Sequence, residues 1–387
     1  MLNNKVFSYP PMGKLLNPFH GYISTDLNID SQVNLKNLNQ SVEVIWDENN
    51  IPHIFAQNEH DLYMMQGYIV AQDRLWQMDF ITRFHEGRLS EIIGYNSDVL
   101  KSDRFMRTIG IVEGSKASLS TIAQCYSEQD GYDNNWNGLA HCPEGYILKI
   151  HEKDIYDMLI SYSKGVNQYI ESLNWDEFPI EYKILDYEPE LWSPFKTCVL
   201  LKAMTLDLTG RNSDVIYQFI KEEYEEKVKF LYPESPYNNN PIIEKFKIDS
   251  ENIENKCVAI NKTKKYNLSE AILELNSMYN PGIGSNNWAV HKQHTKNGNA
   301  ILANDPHLGL SLPNVWYVMQ LSVPELDVMG ATFPGAPGIL SGFNNYIAWG
   351  ETNGEDDVSD FYDIKLDSGN SDNYIYDGES IPFEKRE

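Results

Sequence analysis

Asn280-Pro281-Gly282-Ile283-Gly284-Ser285-Asn286-Asn287-Trp288-Ala289-Val290 is the stretch on which the chain turns. Before it, from about Leu231 to Tyr279, the residues are polar and poor in large apolar side chains, with a Tyr-Asn-Asn-Asn-Pro run at 237–241. After it come short apolar runs broken by Gly, Pro and Asn, the pattern of a β-rich region. A serine directly after Gly-Ile-Gly is placed to begin a second polypeptide. Gly284–Ser285 reads as a self-cleavage bond, and Ser285 as an N-terminal nucleophile.

The chemistry accounts for the residue types. A serine hydroxyl is a weak nucleophile until a base takes its proton. A serine at a chain start carries its own base, an α-amino group whose ordinary pKa of about 7.7–8.0 leaves a neutral fraction at physiological pH. Before the cut, Ser285 Oγ attacks the Gly284 carbonyl, the acyl group shifts from N to O, and water finishes the hydrolysis. Glycine at 284 exposes its carbonyl and tolerates unusual backbone angles. Taken alone, Gly-Ser is an ordinary loop serine after a glycine turn, so the rest of the chain must decide.

Composition sets the outer limits. With 387 residues the chain holds two domains or one large one. Its 42% hydrophobic and 12% aromatic content is that of a folded protein. A net charge of −25 opposes nucleic-acid and anionic-membrane partners, and no apolar run reaches transmembrane length. Met1 to Tyr22 lacks the continuous apolar stretch of a signal peptide, which makes a cytoplasmic location the default. Cys125, Cys142, Cys198 and Cys257 match no zinc or redox spacing. Cys125 and Cys142 flank a polar loop, and the count suits free thiols or a single disulfide equally.

Working outward, Val42–Trp46 and Ile51–Ala56 read as strands joined by the Asp47–Asn50 turn, with Pro52 at an edge or a strand start. The strongest helix follows, capped by Asn58 with Asp61 in its first turn and Leu62, Met65, Ile69, Trp76 and Phe80 at helical spacing. Asp73 and Arg74 are expected as buried polar residues satisfied by partners. Gly87 and Gly94 mark breaks. Asp154–Ser172 carries Ile155, Met158, Leu159, Tyr162 and Val166 on one helical face. Residues 179–194 read as a Pro-rich loop leading into a helix over Cys198–Thr209. Past Ser285, Trp288–Val290 and Ala300–Ala303 bracket a Lys296-Asn297-Gly298 turn as a hairpin. Trp316–Leu321, Val328–Ala331 and Tyr346–Trp349 are further strands.

Gly-Ser-Asn-Asn-Trp-Ala-Val at 284–290 resembles the cleavage and nucleophile motif of the penicillin acylase family of N-terminal nucleophile hydrolases. The block from Asp61 through Ala71-Gln72-Asp73-Arg74-Leu75-Trp76-Gln77-Met78-Asp79 to Gly94 resembles that family's α-chain signature. Four blocks after Ser285 resemble it in order: Asn304-Asp305-Pro306-His307-Leu308, Pro334-Gly335-Ala336-Pro337-Gly338, Gly342–Gly350, and Thr352-Asn353-Gly354 with Asp357-Val358-Ser359-Asp360. Asp-Pro-His is similar to the cephalosporin acylase and acyl-homoserine lactone acylase branch.

The resemblance implies an α+β fold, the αββα N-terminal nucleophile hydrolase sandwich with a helical α-chain domain. Its parts would be an α-chain-like region over 1–230, a spacer peptide over 231–284 and the start of a β-chain over 285–387. It implies an α/β heterodimer cut from one precursor, acting on a small N-acyl amide such as a β-lactam side chain or an acyl-homoserine lactone. A periplasmic or secreted location goes with it. By the same resemblance His307 would hydrogen-bond the α-amine and hold it over Oγ, and the Asn353 backbone N–H would form half of the oxyanion hole. Met204, Leu208 and Leu308 would line an apolar acyl pocket, aliphatic in preference. Asp357, the Ser359 carbonyl, Asp360 and Asp214 would hold a structural Ca²⁺ through hard oxygen ligands, with no organic cofactor. The other half of the oxyanion hole would lie past Glu387, so the chain reads as C-terminally truncated. The rival reading is a truncated or degenerate, non-catalytic homologue that binds acyl ligands or a partner chain. The many carboxylates form no ordered glycoside hydrolase motif.

Overall fold

The computed structural model describes residues 32–130, 151–208, 284–354, 362 and 364–385. Residues 231–283 of the expected spacer, the Cys125–Cys142 pairing, and Asp214, Asp357, Ser359 and Asp360 lie outside them. The chain divides into two units: one holds the described residues up to Leu208 together with 284–353, the other those from Gly354 onward.

The first unit begins with a hairpin of β1 (Glu43–Trp46) and β2 (Pro52–Phe55). Asp47 closes its turn, with one carboxylate oxygen accepting from the Asn49 and Ile51 N–H groups at 2.8 and 2.9 Å. Pro52 opens β2, where its missing N–H costs nothing. The strand is nevertheless interior, because its other edge pairs in parallel with β5 (Tyr317–Val323). β6 (Leu326–Thr332), β7 (Ser341–Asn344) and β8 (Ala348–Trp349) complete a six-stranded sheet in the order β1-β2-β5-β6-β7-β8. β7 was not expected from sequence, since Ser-Gly-Phe-Asn shows no apolar alternation. β3 (Gly284–Val290) and β4 (Ile301–His307) pair with each other in a separate hairpin, as the Lys296-Asn297-Gly298 turn predicts.

Among the described residues the α-helices are α1 (Glu59–His85), α2 (Leu89–Ile93), α3 (Ser97–Ile109), α4 (Ile111–Asp130), α5 (His151–Ser172), α6 (Ile180–Leu185) and α7 (Pro194–Leu208). Asn58 caps α1 by accepting from the Asp61 N–H at 3.0 Å. The fully buried Asp61 carboxylate takes the N–H groups of Asn39 and Gln40, both at 2.9 Å, and so anchors the incoming chain. Alternation along β5 turns Tyr317, Met319, Leu321 and Val323 into a core shared with Leu62, Ile69, Met78, Tyr162, Val166 and Tyr182. α1 and α5 cross closely at two glycines: a Cβ on Gly165 would lie 1.8 Å from the Met64 carbonyl oxygen, and one on Gly67 2.1 Å from that of Tyr162.

Three expectations need correcting. Asp73 is exposed rather than buried, because the α1 stripe that faces the core runs through Leu75 and Met78. It still has a partner, accepting from the Tyr317 hydroxyl, while the half-buried Arg74 reaches the Asn314 carbonyl at 3.0 Å. Ile155 is exposed, one turn ahead of the buried Leu159. Residues 179–194 contain a helix, α6, which Tyr182 buries and Asp186 ends in a left-handed conformation (φ 58°). Pro194 then opens α7 at the position where a missing N–H is harmless.

In the second unit β9 (Asn373–Tyr376) and β10 (Glu379–Pro382) pair as a hairpin. Its Asp377-Gly378 turn takes positive φ at both residues, the conformation that matches strand twist.

Candidate active site

Ser285 is the second residue of β3, and its hydroxyl donates to the Gly284 carbonyl oxygen at 2.7 Å. The Ser285 hydroxyl therefore lies beside the Gly284–Ser285 peptide bond. Gly284 sits in regular strand, without positive φ, and a Cβ there would meet nothing within 4 Å. The freedom of glycine is thus not used at this position, and its contribution is an unobstructed carbonyl.

The hairpin register decides which side chains can help. Ser285 pairs with Pro306 and Gly284 with His307, so Ser285 and His307 point to opposite faces. His307 Nε2 hydrogen-bonds Asp305 Oδ2 at 2.7 Å on the outer, exposed face. The His307 ring therefore lies on the far side of the hairpin from the Ser285 hydroxyl. The reason is the two-residue period of a strand, which sends neighbours to opposite sides. On the Ser285 face, Leu302, Asn304 and Pro306 line a cleft of about 420 Å³, closed on its other side by Val318, Ala331 and Phe343 of the sheet.

Two consecutive residues tie Ser285 to the end of α7. The Thr352 hydroxyl donates to the Ser285 carbonyl at 3.1 Å, and Asn353 Nδ2 donates to the Leu208 carbonyl at 2.7 Å. Asn304 holds the same segment, its Nδ2 donating to the Glu351 carbonyl at 2.8 Å. Met204 and Leu308 pack in one apolar cluster with Leu200, Trp316, Phe333 and Leu340, where Trp316 stacks on Phe333 at 4.4 Å between ring centres. Leu208 is half-buried and joins the site through its backbone. Among the described residues, no group of three or more His, Cys, Asp and Glu side chains is arranged to hold a metal.

A charged network at the start of α7 was missed from sequence. Arg83, buried at the end of α1, pairs with Asp79 at 3.1 Å and Glu190 at 3.0 Å. Arg88 reaches the same Glu190 at 2.7 Å, and Lys196 of α7 reaches it at 3.2 Å. The Asp79–Arg83 spacing is legible along a helix, but the convergence on Glu190, more than a hundred residues away, is not. Hydrogen bonds from Arg88, with the charges of Lys196 and Arg83, hold the Glu190 carboxyl at about 2, against an ordinary 4.5. A lowered carboxyl stabilises the fold fully above its ordinary value, and that stability is lost as pH falls towards 2. Glu190→Gln is expected to lose about 1–2 kcal/mol at neutral pH, after allowance for partial exposure of the carboxylate. Urea midpoints at neutral and acid pH check this, and the gap between variant and wild type should narrow in acid.

Helices packed against a mixed six-stranded sheet, with a separate two-stranded hairpin, make this an α+β chain. It belongs to the penicillin amidase family, whose sequence model matches residues 41–133 and 138–387. It is 27% identical to an acyl-homoserine lactone acylase of Pseudomonas syringae pv. syringae, over 92% of this chain and 39% of that protein. It is 26% identical to the penicillin acylase 2 proenzyme of Pseudomonas sp. (strain SE83), over 86% of this chain and 39% of that protein. To the penicillin G acylase of Escherichia coli it is 22% identical, over 89% of this chain and 43% of that protein. The chain thus spans about two fifths of the length of these relatives. A solved penicillin G acylase from Alcaligenes faecalis matches 58% of this chain and 99% of that chain, at 22% identity and a TM-score of 0.38, a likeness too slight to bear on the fold.

Proposed function

We propose that this protein is an acylase that cuts its own Gly284–Ser285 bond and then hydrolyses the amide of an N-acyl compound through an acyl-enzyme on Ser285. The observation that carries this is the Ser285 hydroxyl at 2.7 Å from the Gly284 carbonyl oxygen, in a chain of a family named for amide hydrolysis.

In the first step Oγ adds to the Gly284 carbon and the Ser285 nitrogen leaves as the new α-amine. Water then splits the ester and releases Gly284 as a carboxylate. In the second step the neutral α-amine takes the Oγ proton, Oγ adds to the substrate carbonyl, and the amine of the substrate departs with a proton. Water repeats the sequence on the acyl-enzyme. The Asn353 backbone N–H is the proposed donor to the developing oxyanion, a contact of the kind worth roughly 2.7–4 kcal/mol. The acyl chain would lie against Met204, Leu308, Trp316 and Phe333, a surface that desolvates an apolar chain.

The names of the relatives point to a β-lactam side-chain amide or an acyl-homoserine lactone as substrate. The product of the cut is an α/β heterodimer, with residues 231–284 as the spacer between its chains. Asp214, Asp357, the Ser359 carbonyl and Asp360 offer the hard oxygen donors that suit a structural Ca²⁺. No reaction step runs through that ion, and no organic cofactor is required. Intact-mass analysis tests the reading: two polypeptides, one starting at Ser285, support it, and one uncut chain overturns it.

A further inference from the structure

The segment Pro334-Gly335-Ala336-Pro337-Gly338 joins β6 to β7 and is buried over Pro334–Ala336. A buried loop must find a partner for every backbone N–H and carbonyl. Here the partners are side chains from three different helices. The Gly335 N–H donates to the Tyr162 hydroxyl of α5 at 3.0 Å, and the Gly335 carbonyl accepts from the Thr197 hydroxyl of α7 at 2.8 Å. The fully buried Gln66 of α1 treats Gly338 as a strand would. Its Oε1 accepts from the Gly338 N–H at 2.9 Å, and its Nε2 donates to the Gly338 carbonyl at 3.1 Å. Ala336 is held locally, its N–H on the Phe333 carbonyl at 2.9 Å and its carbonyl on the Thr332 hydroxyl at 3.0 Å.

These bonds do more than satisfy the backbone. Phe333, Ala336 and Leu340, in or flanking this loop, are members of the apolar cluster that also contains Met204 and Leu308. Gly335 stands at φ 102°, with the Trp192 ring where a Cβ would lie at 2.9 Å, so the loop has no room to relax inward. The Trp192 indole N–H in turn donates to Thr197 Oγ1 at 3.1 Å, which aims that hydroxyl at Gly335.

We infer that Gln66, Tyr162 and Thr197 are positioning residues that set how long an acyl chain the site accepts, by fixing the loop that supplies one wall of the apolar cluster. None of the three belongs to the cluster. They act through the backbone of Gly335 and Gly338, and so through the placement of Phe333, Ala336 and Leu340. This inference rests on the acylase reading above. Freeing the loop leaves Ser285 and its amine untouched, so acylation of a short chain is unaffected. A long chain, which depends on the whole wall, loses its seat.

The test uses the mature full-length protein with a series of N-acyl amides carrying butanoyl, octanoyl and dodecanoyl chains. Thr197→Val removes the donor to Gly335, Thr197→Ser keeps it, and Tyr162→Phe removes only the acceptor for the Gly335 N–H. For the longest chain that wild type accepts, Thr197→Val and Tyr162→Phe are expected to raise KM about tenfold, the worth of roughly one hydrogen bond to placement. With the butanoyl amide, kcat and KM should stay at wild-type values, and Thr197→Ser should restore the long-chain KM. Either Val or Phe variant suffices if the other fails to fold. Equal changes for all chain lengths, or none, overturn the inference while leaving the acylase reading intact. A wild-type protein that hydrolyses no member of the series overturns both.

Discussion

Replacing Ser285 with alanine is expected to leave a single uncut chain with at least ~10⁴-fold less amide-hydrolysing activity, the scale seen when the nucleophile of a concerted site is removed. The loss is chemical and not structural. Ser285 is half-buried in a regular strand, and its hydroxyl bonds only the carbonyl before it among the contacts that define the site. Removing it forfeits one hydrogen bond, about 1 kcal/mol, and leaves the β3–β4 register in place. Ser285→Cys keeps a nucleophile at the same atom position and is expected to still cut. Denaturing electrophoresis, mass analysis and hydrolysis of an N-acyl amide read these outcomes separately. Scission at 284–285 in the alanine variant would remove Ser285 from the mechanism altogether.

Gly165→Ala is expected to be the most damaging single-methyl change in the helical core. Its Cβ would lie 1.8 Å from the Met64 carbonyl oxygen and 2.8 Å from the Met64 carbonyl carbon. Both are backbone atoms, so no side-chain rotation relieves the clash and α1 and α5 must move apart. The expected cost is about 3 kcal/mol, the upper end for an overpacked core. The control is Gly114→Ala in α4, where the nearest atom to a new Cβ is the Lys202 side chain at 3.9 Å. There the methyl is expected to stabilise the helix by roughly 0.5–1 kcal/mol, through the lower entropy cost of alanine. Thermal or urea midpoints of the two variants should move in opposite directions. A Gly165→Ala protein with the wild-type midpoint would mean the helices are not packed backbone to backbone.

The helix from Glu59 and the hairpins at 43–55 and 284–307 were legible because their causes are local. Asn58 caps its own helix, Asp47 closes its own turn, and Lys296-Asn297-Gly298 bends its own strands. Ile155 and Asp73 were misplaced because spacing along a helix tells which residues share a face, but not where the neighbouring helix begins or stops. The site divides the same way. Met204 and Leu308 meet in one apolar cluster, while Leu208 takes part through its carbonyl. His307 follows the strict alternation of its strand onto the far side from Ser285. Asp214, Asp357, Ser359 and Asp360 lie outside the described residues.

The sequence by itself determined the family, the candidate nucleophile and the bond before it, because those are written in contiguous blocks whose order along the chain carries the information. Only the tertiary structure decided which groups stand beside them. Glu190 gathers Arg83, Arg88 and Lys196, while Gln66, Tyr162 and Thr197 close on one glycine-rich loop. Five of those six partners come from helices α1, α5 and α7, and Arg88 from the link between α1 and α2. Hydrogen bonds and ion pairs act over a few ångströms of space, and the packing of those helices, not their spacing in the chain, brings such groups within reach.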